Sequence, residues 1–365
     1  MESRRLSSTV SRALYILETF PSISRAIFLV GSVLPVLLGS SVAYYEGFRI
    51  SPASLLLSIS QICFIHLLVN VSNDYYDYRM GADPSHEIQP FSGGSQAIQR
   101  GILTEKEMAA IMLALLGFVS ANAVILALVR QSVLVAVFVV LGTALGFSYS
   151  AEPVCLAKRG AGELVTGLCL GPLAVMASYY VQAGTQTGMI STGAAQKGFD
   201  STNTGVSVRF LLWSPVRQVF DEASALAAGP LFPSLIWSSI IIGILITTIL
   251  VINEHPDCDN DRASGKMNLI ARIGRRKGTW LLAGLYITGL VLLILGAVTG
   301  RLPRSVGVAT LGLLPGITAV QLIDKKARSP RAVLGDPEYT RAGALGFVTY
   351  CVTGSLLILS WLLGA

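Results

Sequence analysis

The apolar residues of this chain fall in long unbroken blocks rather than in a stripe recurring every 3.6 positions. A block of about 20 apolar residues matches the hydrocarbon core of a bilayer. No water is available there to satisfy peptide groups, so each block is expected to be a helix that pairs its own N–H and C=O groups. Nine blocks are legible, over residues 26–46, 54–73, 106–129, 133–150, 163–182, 234–253, 279–299, 305–323 and 343–363. Those at 133–150 and 305–323 are the least pronounced. The expected fold is all-α, a polytopic integral membrane protein with nine transmembrane helices in a single domain over residues 26–363. Two segments stand outside this pattern. Residues 1–25 lack the compact apolar core and small-residue cleavage site of a leader, and are expected as a cytoplasmic segment. Within them Val10, Leu14, Ile16 and Leu17, set among Ser and Arg, allow a short helix on the inner leaflet. Residues 183–233 read as an outer-loop insertion, Gly/Thr/Ser-rich at first, in which Arg209–Trp213 and Val219–Ala227 allow amphipathic helix on the outer surface.

Composition agrees with the blocks. Of 365 residues, 52% are hydrophobic and 13% charged, about half the charge of a soluble domain. The placement of the charges adds an orientation. Most of the 27 Lys and Arg residues precede the first block or follow the even-numbered ones, which predicts N-in, C-out. Basic inner loops account for the net charge of +6. No Lys/Arg cluster interleaved with aromatics points to nucleic acid. The five cysteines have neither metal-ligand spacing nor a disulfide framework.

Candidate chemistry sits at two inner helix ends. After the second block comes Asn73-Asp74-Tyr75-Tyr76-Asp77-Tyr78-Arg79, then Gly81 and Asp83; after the sixth comes Asn253-Glu254-His255-Pro256-Asp257, then Asp259, Asp261, Gly265 and Lys266. As helix, Asn73 and Asp77 share a face, as do Asp257 and Asp261. The first helix is expected to end at Gly81, with Asp83 beyond it. Carboxylates crowded at a helix C-terminus repel one another and the helix dipole. A hard cation such as Mg²⁺, which takes a few carboxylates plus substrate phosphate, explains the crowding. Lys266, Arg262 and Arg79 are then placed to meet phosphate, with Gly93-Gly94 allowing close backbone approach. The matched positions of the two clusters imply a weak two-half repeat. Tyr75, Tyr76, Tyr78 and Tyr149 are candidates to stabilise a nearby cation, or to form an interfacial aromatic belt.

At these residues the sequence resembles the UbiA superfamily of intramembrane prenyltransferases. Asn73-Asp-Tyr-Tyr-Asp77 matches the family's first motif, and Asp257 with Asp261 its second. The spacing to Asp83, the Gly93-Gly94-Ser95 run, and Asn253 through Gly274 are similar to the branch acting on 1,4-dihydroxy-2-naphthoate. The middle loop, Tyr149-Ser150 to Lys158-Arg159-Gly160 and Gly162-Glu163, resembles it too. Proline at 153 hands the loop-lysine role of some relatives to Lys158 or Arg159. The 183–233 insertion is outside the common pattern.

The resemblance implies Mg²⁺ as cofactor, held by Asp77, Asp83, Asp257 and Asp261. It implies catalytic roles for Asp74, Asp77 and Tyr149, and diphosphate binding by Asn73, Arg79, Lys158, Arg159, Asn253 and Lys266. The implied substrates are a polyprenyl diphosphate and an aromatic acceptor, met in the cytoplasmic (inner) membrane with the site facing the cytoplasm. Other acceptors of the superfamily remain open: 4-hydroxybenzoate, homogentisate, a glycerol phosphate lipid, a tetrapyrrole or a carotenoid. From another class, an ion-coupled transporter would place its acids nearer mid-membrane.

Overall fold

The computed structural model describes residues 28–81, 94–195, 208–329 and 336–364, with backbone alone for 185–195 and 208–215. The segment 1–25, Asp83 and Gly93, and the centre of the 183–233 insertion lie outside the described residues. Among those described there is helix and no strand.

The chain runs through α1 (Leu29–Tyr45), α2 (Pro52–Met80), α3 (Glu105–Arg130) and α4 (Val133–Ser150). Then follow α5 (Gly162–Leu168), a π-turn (Cys169–Leu173), α6 (Ala174–Ala195) and α7 (Val208–Ala227). The second half holds α8 (Phe232–Ser264), α9 (Leu269–Ile273), α10 (Arg275–Val298), a 3₁₀ stretch (Arg304–Leu313) leading into α11 (Leu314–Ala327), and α12 (Pro337–Leu363). Each of the nine apolar blocks lies in helical structure, the one at 163–182 across α5, the π-turn and the start of α6, and the one at 305–323 across the 3₁₀ stretch and α11. Eight helical stretches among the described residues are long and apolar enough to cross a membrane. The ninth, α1, has 17 residues, about 26 Å of helix against a hydrocarbon thickness of about 30 Å.

α8 is central. Its apolar window is 67% buried, the largest share of the eight, and it packs on α5, α10 and α12. α1 packs on α6, and α2 on α3 and α4. The α5–α6 rod bends at the π-turn, where Pro172 removes a donor and Gly171 leaves helical geometry (φ −95, ψ −105). Glycines let this bend lie directly against α8: a Cβ at Gly171 would come 2.6 Å from the Cα of Gly243. Small residues permit such backbone approach between membrane helices.

The insertion is more ordered in helix than its composition predicts. α6 runs on to Ala195, and the two amphipathic stretches form one helix, α7, which packs on α4 and α6. Glu222 of α7 accepts from Ser132 Oγ (2.8 Å) and from Leu134 N (2.9 Å). It thereby shares with Ser132 the capping of α4.

Candidate active site

The inner ends of α2 and α8 build the site. α2 has 29 residues and α8 has 33, so both outrun the hydrocarbon core. Each stops at a left-handed glycine, Gly81 (φ 66) and Gly265 (φ 77). Their last turns therefore hold the acids on rigid helix. Asn73 Nδ2 donates to Asp77 Oδ2 at 2.9 Å, and Ser150 Oγ, at the end of α4, donates to Asn73 Oδ1 at 2.8 Å. Lys266 Nζ donates to the same Asp77 oxygen at 3.0 Å, across 189 residues of sequence. Both side chains are largely withdrawn from solvent, at 16% and 3% exposed. Removing one member of a buried pair leaves an uncompensated charge.

The loop after α8 is fixed from two sides. Asn268 Nδ2 donates to Asp261 Oδ2 at 2.6 Å, while Asn268 Oδ1 caps α9 by accepting from Ala271 N at 2.7 Å. Leu269 N donates to Glu163 Oε1 at 2.8 Å. These bonds set where Lys266 reaches.

A cavity opens between these helix ends and continues into the bundle. Asn73, Asp77, Tyr149, Asn253, Glu254, Asp257, Asp261, Lys266 and Asn268 line its mouth, and aliphatic and aromatic side chains such as Ile62, Val135, Phe138, Leu170 and Ile249 line its interior. Four carboxyl groups thus face one ammonium group among the lining residues. Asn253 Oδ1 and Glu254 Oε2 are buried, and among the described residues no hydrogen-bond donor reaches them. Oxygen donors of this kind suit a hard cation. Among the described residues, no three His, Cys, Asp or Glu groups gather closely enough to hold a metal unaided. That agrees with Mg²⁺, which relies on one or two carboxylates and completes its shell with phosphate and water.

The remaining expected residues are placed differently. Asp74, adjacent in sequence to Asn73, points to another face, where it accepts from the backbone N–H (3.1 Å) and hydroxyl of Ser95. It is not among the residues lining the cavity. Arg79 is exposed, 3.8 Å from Glu105 and 5.9 Å from the centre of the Tyr75 ring. Arg159 donates to the Pro153 carbonyl at 2.9 Å, and the Lys158 carbonyl accepts from Arg272 at 3.5 Å. Neither lines the cavity. Tyr75 and Tyr76 pack edge to face at 5.3 Å, and Tyr76 on Phe147 at 6.1 Å. Of the tyrosines, Tyr149 alone among the four expected lines the cavity.

Sequence reasoning passed over Ser150, Asn268 and the pinning role of Glu163. Asn268 had a signal: an Asn directly before an apolar Leu-Ile pair is an N-cap signature. An acid opening an apolar block, as Glu163 does, is a second such signal. Ser150 had none, because its partner lies 77 residues away.

The profile of the UbiA prenyltransferase family matches residues 32–334. The chain belongs to the UbiA prenyltransferase family. It is therefore an enzyme of the prenyltransferase class, built into a membrane by its apolar helices. The chain is 26% identical over 254 residues to the 1,4-dihydroxy-2-naphthoate octaprenyltransferase of Escherichia coli (strain K12), covering 68% of each protein. It is 28% identical over 154 residues to the protein of the same name from Bacillus subtilis (strain 168), covering 42% of this chain and 48% of that one. In fold it is similar to a UbiA homolog from Aeropyrum pernix K1, with a TM-score of 0.58 at 14% identity over 90% of this chain and 97% of that one. A UbiA homolog from Archaeoglobus fulgidus, bound to DMAPP and Mg²⁺, gives a TM-score of 0.54 at 15% identity over 93% and 99%.

Proposed function

We propose that this UbiA-family enzyme transfers a polyprenyl group from its allylic diphosphate to 1,4-dihydroxy-2-naphthoate, at the cytoplasmic face of the inner membrane, with N-in, C-out topology. The observation that carries the reading is the meeting of Asn73 and Asp77 with Asp257, Asp261 and Lys266 at the mouth of a cavity with an apolar interior. A molecule with a highly charged head and a long hydrocarbon tail is what that polarity accommodates. The acceptor assignment is supported by the names of the Escherichia coli and Bacillus subtilis relatives, and the topology by the basic inner loops.

Asp77, Asp257 and Asp261 would hold Mg²⁺, with Asp83 following in sequence. When bound, Mg²⁺ supplies electrostatic stabilisation of the departing diphosphate. The chain's own residues do the rest. Lys266 binds the diphosphate head, and Asn73 and Asn253 orient it. The bond between the allylic carbon and the diphosphate oxygen breaks, and the oxygen keeps the electron pair. The apolar walls exclude water from the resulting allylic cation, and the Tyr149 ring faces it. A ring carbon of the acceptor forms the new carbon–carbon bond. The ring carboxylate leaves as CO₂, so one positive group is gained as one carboxylate is lost.

The test is a transfer assay in nanodiscs with labelled geranylgeranyl diphosphate, 1,4-dihydroxy-2-naphthoate and Mg²⁺. A prenylated, decarboxylated product that disappears with EDTA and returns with excess Mg²⁺ is expected. Metal-dependent diphosphate binding without product would overturn the acceptor assignment. Neither binding nor product, from folded protein, would overturn the mechanism.

A further inference from the structure

The polar lining of the cavity extends well past the carboxylates. Along α2 the residues facing the cavity form two neighbouring stripes. Ser58, Ile62, Ile65 and Val69 follow at spacings of four, three and four, and so do His66, Asn70, Asn73 and Asp77. The first stripe is mostly hydrocarbon and suits a prenyl tail. The second is polar throughout, yet about 16 Å of helix separates His66 from Asp77. A diphosphate held at Asp77 does not reach that depth. An ionisable side chain inside a membrane helix is costly and calls for a reason.

The surroundings of His66 supply one. Its Nδ1 lies 2.5 Å from the hydroxyl of Ser32 on α1. Next to Ser32, Gly31 leaves room for the ring of Phe347, which a Cβ would meet at 3.3 Å. Phe347 in turn makes an edge contact with Phe28, at 5.5 Å between ring centres and 84° between planes. Phe28, Gly31, Ser32, His66, Asn70 and Phe347 all line the cavity. Aromatic walls beside one hydrogen-bonding pair match a flat ring bearing a hydroxyl group. The hydrogen-bonding pair offers nothing to a polyisoprenoid. About 10 Å of helix lies between His66 and Asn73, room for a bicyclic ring with its reacting carbon toward the diphosphate.

We infer that the Ser32–His66 pair, walled by Phe28 and Phe347, is the recognition site for the aromatic acceptor and bonds one of its phenolic hydroxyls. The inference rests on the prenyl-transfer reading above and deepens it: the ligand class is a hydroxylated bicyclic aromatic. The two stripes of α2 then divide the cavity, tail along Ile62, Ile65 and Val69, acceptor along His66 and Asn70.

The test uses the full chain in nanodiscs, with 1,4-dihydroxy-2-naphthoate and geranylgeranyl diphosphate varied separately. His66→Leu should raise the KM for the acceptor about tenfold, as loss of one hydrogen bond to a bound ligand does. The KM for the diphosphate should stay within about twofold. His66→Gln, which keeps a polar group at the same depth, should recover most of the loss, and Ser32→Ala should raise the acceptor KM about threefold. Retained Mg²⁺-dependent diphosphate binding shows that each variant is folded. If both KM values rise together, or if His66→Gln is no better than His66→Leu, the pair serves helix packing and the inference is overturned. A His66→Leu enzyme with wild-type kinetics overturns it alone. A wild-type protein that binds diphosphate but prenylates no dihydroxynaphthoate removes the acceptor reading, and this inference with it.

Discussion

The two ends of the bundle use buried charge in opposite ways. At the α7 end the buried charged groups are tied to structural partners one by one. Glu222 caps α4, Arg130 donates to the Gln182 carbonyl at 3.1 Å, and Tyr179 donates to Glu46. At the Asp77 end, carboxyl groups from two helices converge on a shared space, with one ammonium group among them. Paired charge at one end stabilises helix ends and loops. Converging charge of one sign at the other end opposes folding and makes sense only with a ligand.

Substitutions should separate the two ends, and the largest effect should come from the converging carboxylates. Asp77→Ala or Asp261→Ala should lower transfer by about a thousandfold or more, the scale of losing electrostatic stabilisation of a developing charge. Thermal unfolding of the purified protein should change little for Asp261→Ala, where repulsion is relieved as a bond is lost, and should fall for Asp77→Ala, which strips the buried Lys266 of its partner. Lys266→Met should raise the KM for prenyl diphosphate roughly thirtyfold in the same assay, the range of a charge-assisted hydrogen bond. Asp74 sharpens the contrast, because it neighbours the cluster in sequence but holds Ser95 in space. Asp74→Asn should lower the turnover only about fivefold, and limited proteolysis should show faster cleavage around residues 94–97. At the far end, Glu222→Ala should leave transfer unchanged and lower unfolding stability by about 1 kcal/mol, the loss of a helix cap. A large loss of transfer from Glu222→Ala, or none from Asp77→Ala, would erase the distinction between the ends.

How much of this was legible in the sequence follows from the range of each signal. The apolar blocks are local and long, so the long apolar helices could be placed, and Gly81 marked the end of α2 because a left-handed residue there demands glycine. The acid motifs were legible for the same reason: four-residue spacing is a property of one helix. Which of the charged residues share a cavity was not legible. Asn73 and Asp74 differ by one position, a turn of about 100°, and only the packing of α4 and the α8–α9 loop decides which faces inward. Arg79, Lys158 and Arg159 carry the right charge but lie outside the lining. The joining of the two amphipathic stretches into one helix, α7, across Pro215 was not legible, since α7 rests on contacts with α4 and α6 that no local window contains.

The π-turn at Cys169–Leu173 bears on how such an enzyme changes the tail it accepts. One extra residue is accommodated there, and beyond it Ala174, Ala177 and Ser178 present small side chains to the cavity. Deleting a single residue within the turn would restore an unbroken α-helix and advance the register by one. Val175 would take the place of Ala174, and Tyr179 that of Ser178, with their larger side chains filling part of the cavity. Point substitutions trim such a channel methyl by methyl, whereas one codon lost or gained at this bend refits its whole wall at once. Divergence in chain length should therefore track insertions and deletions at the kink.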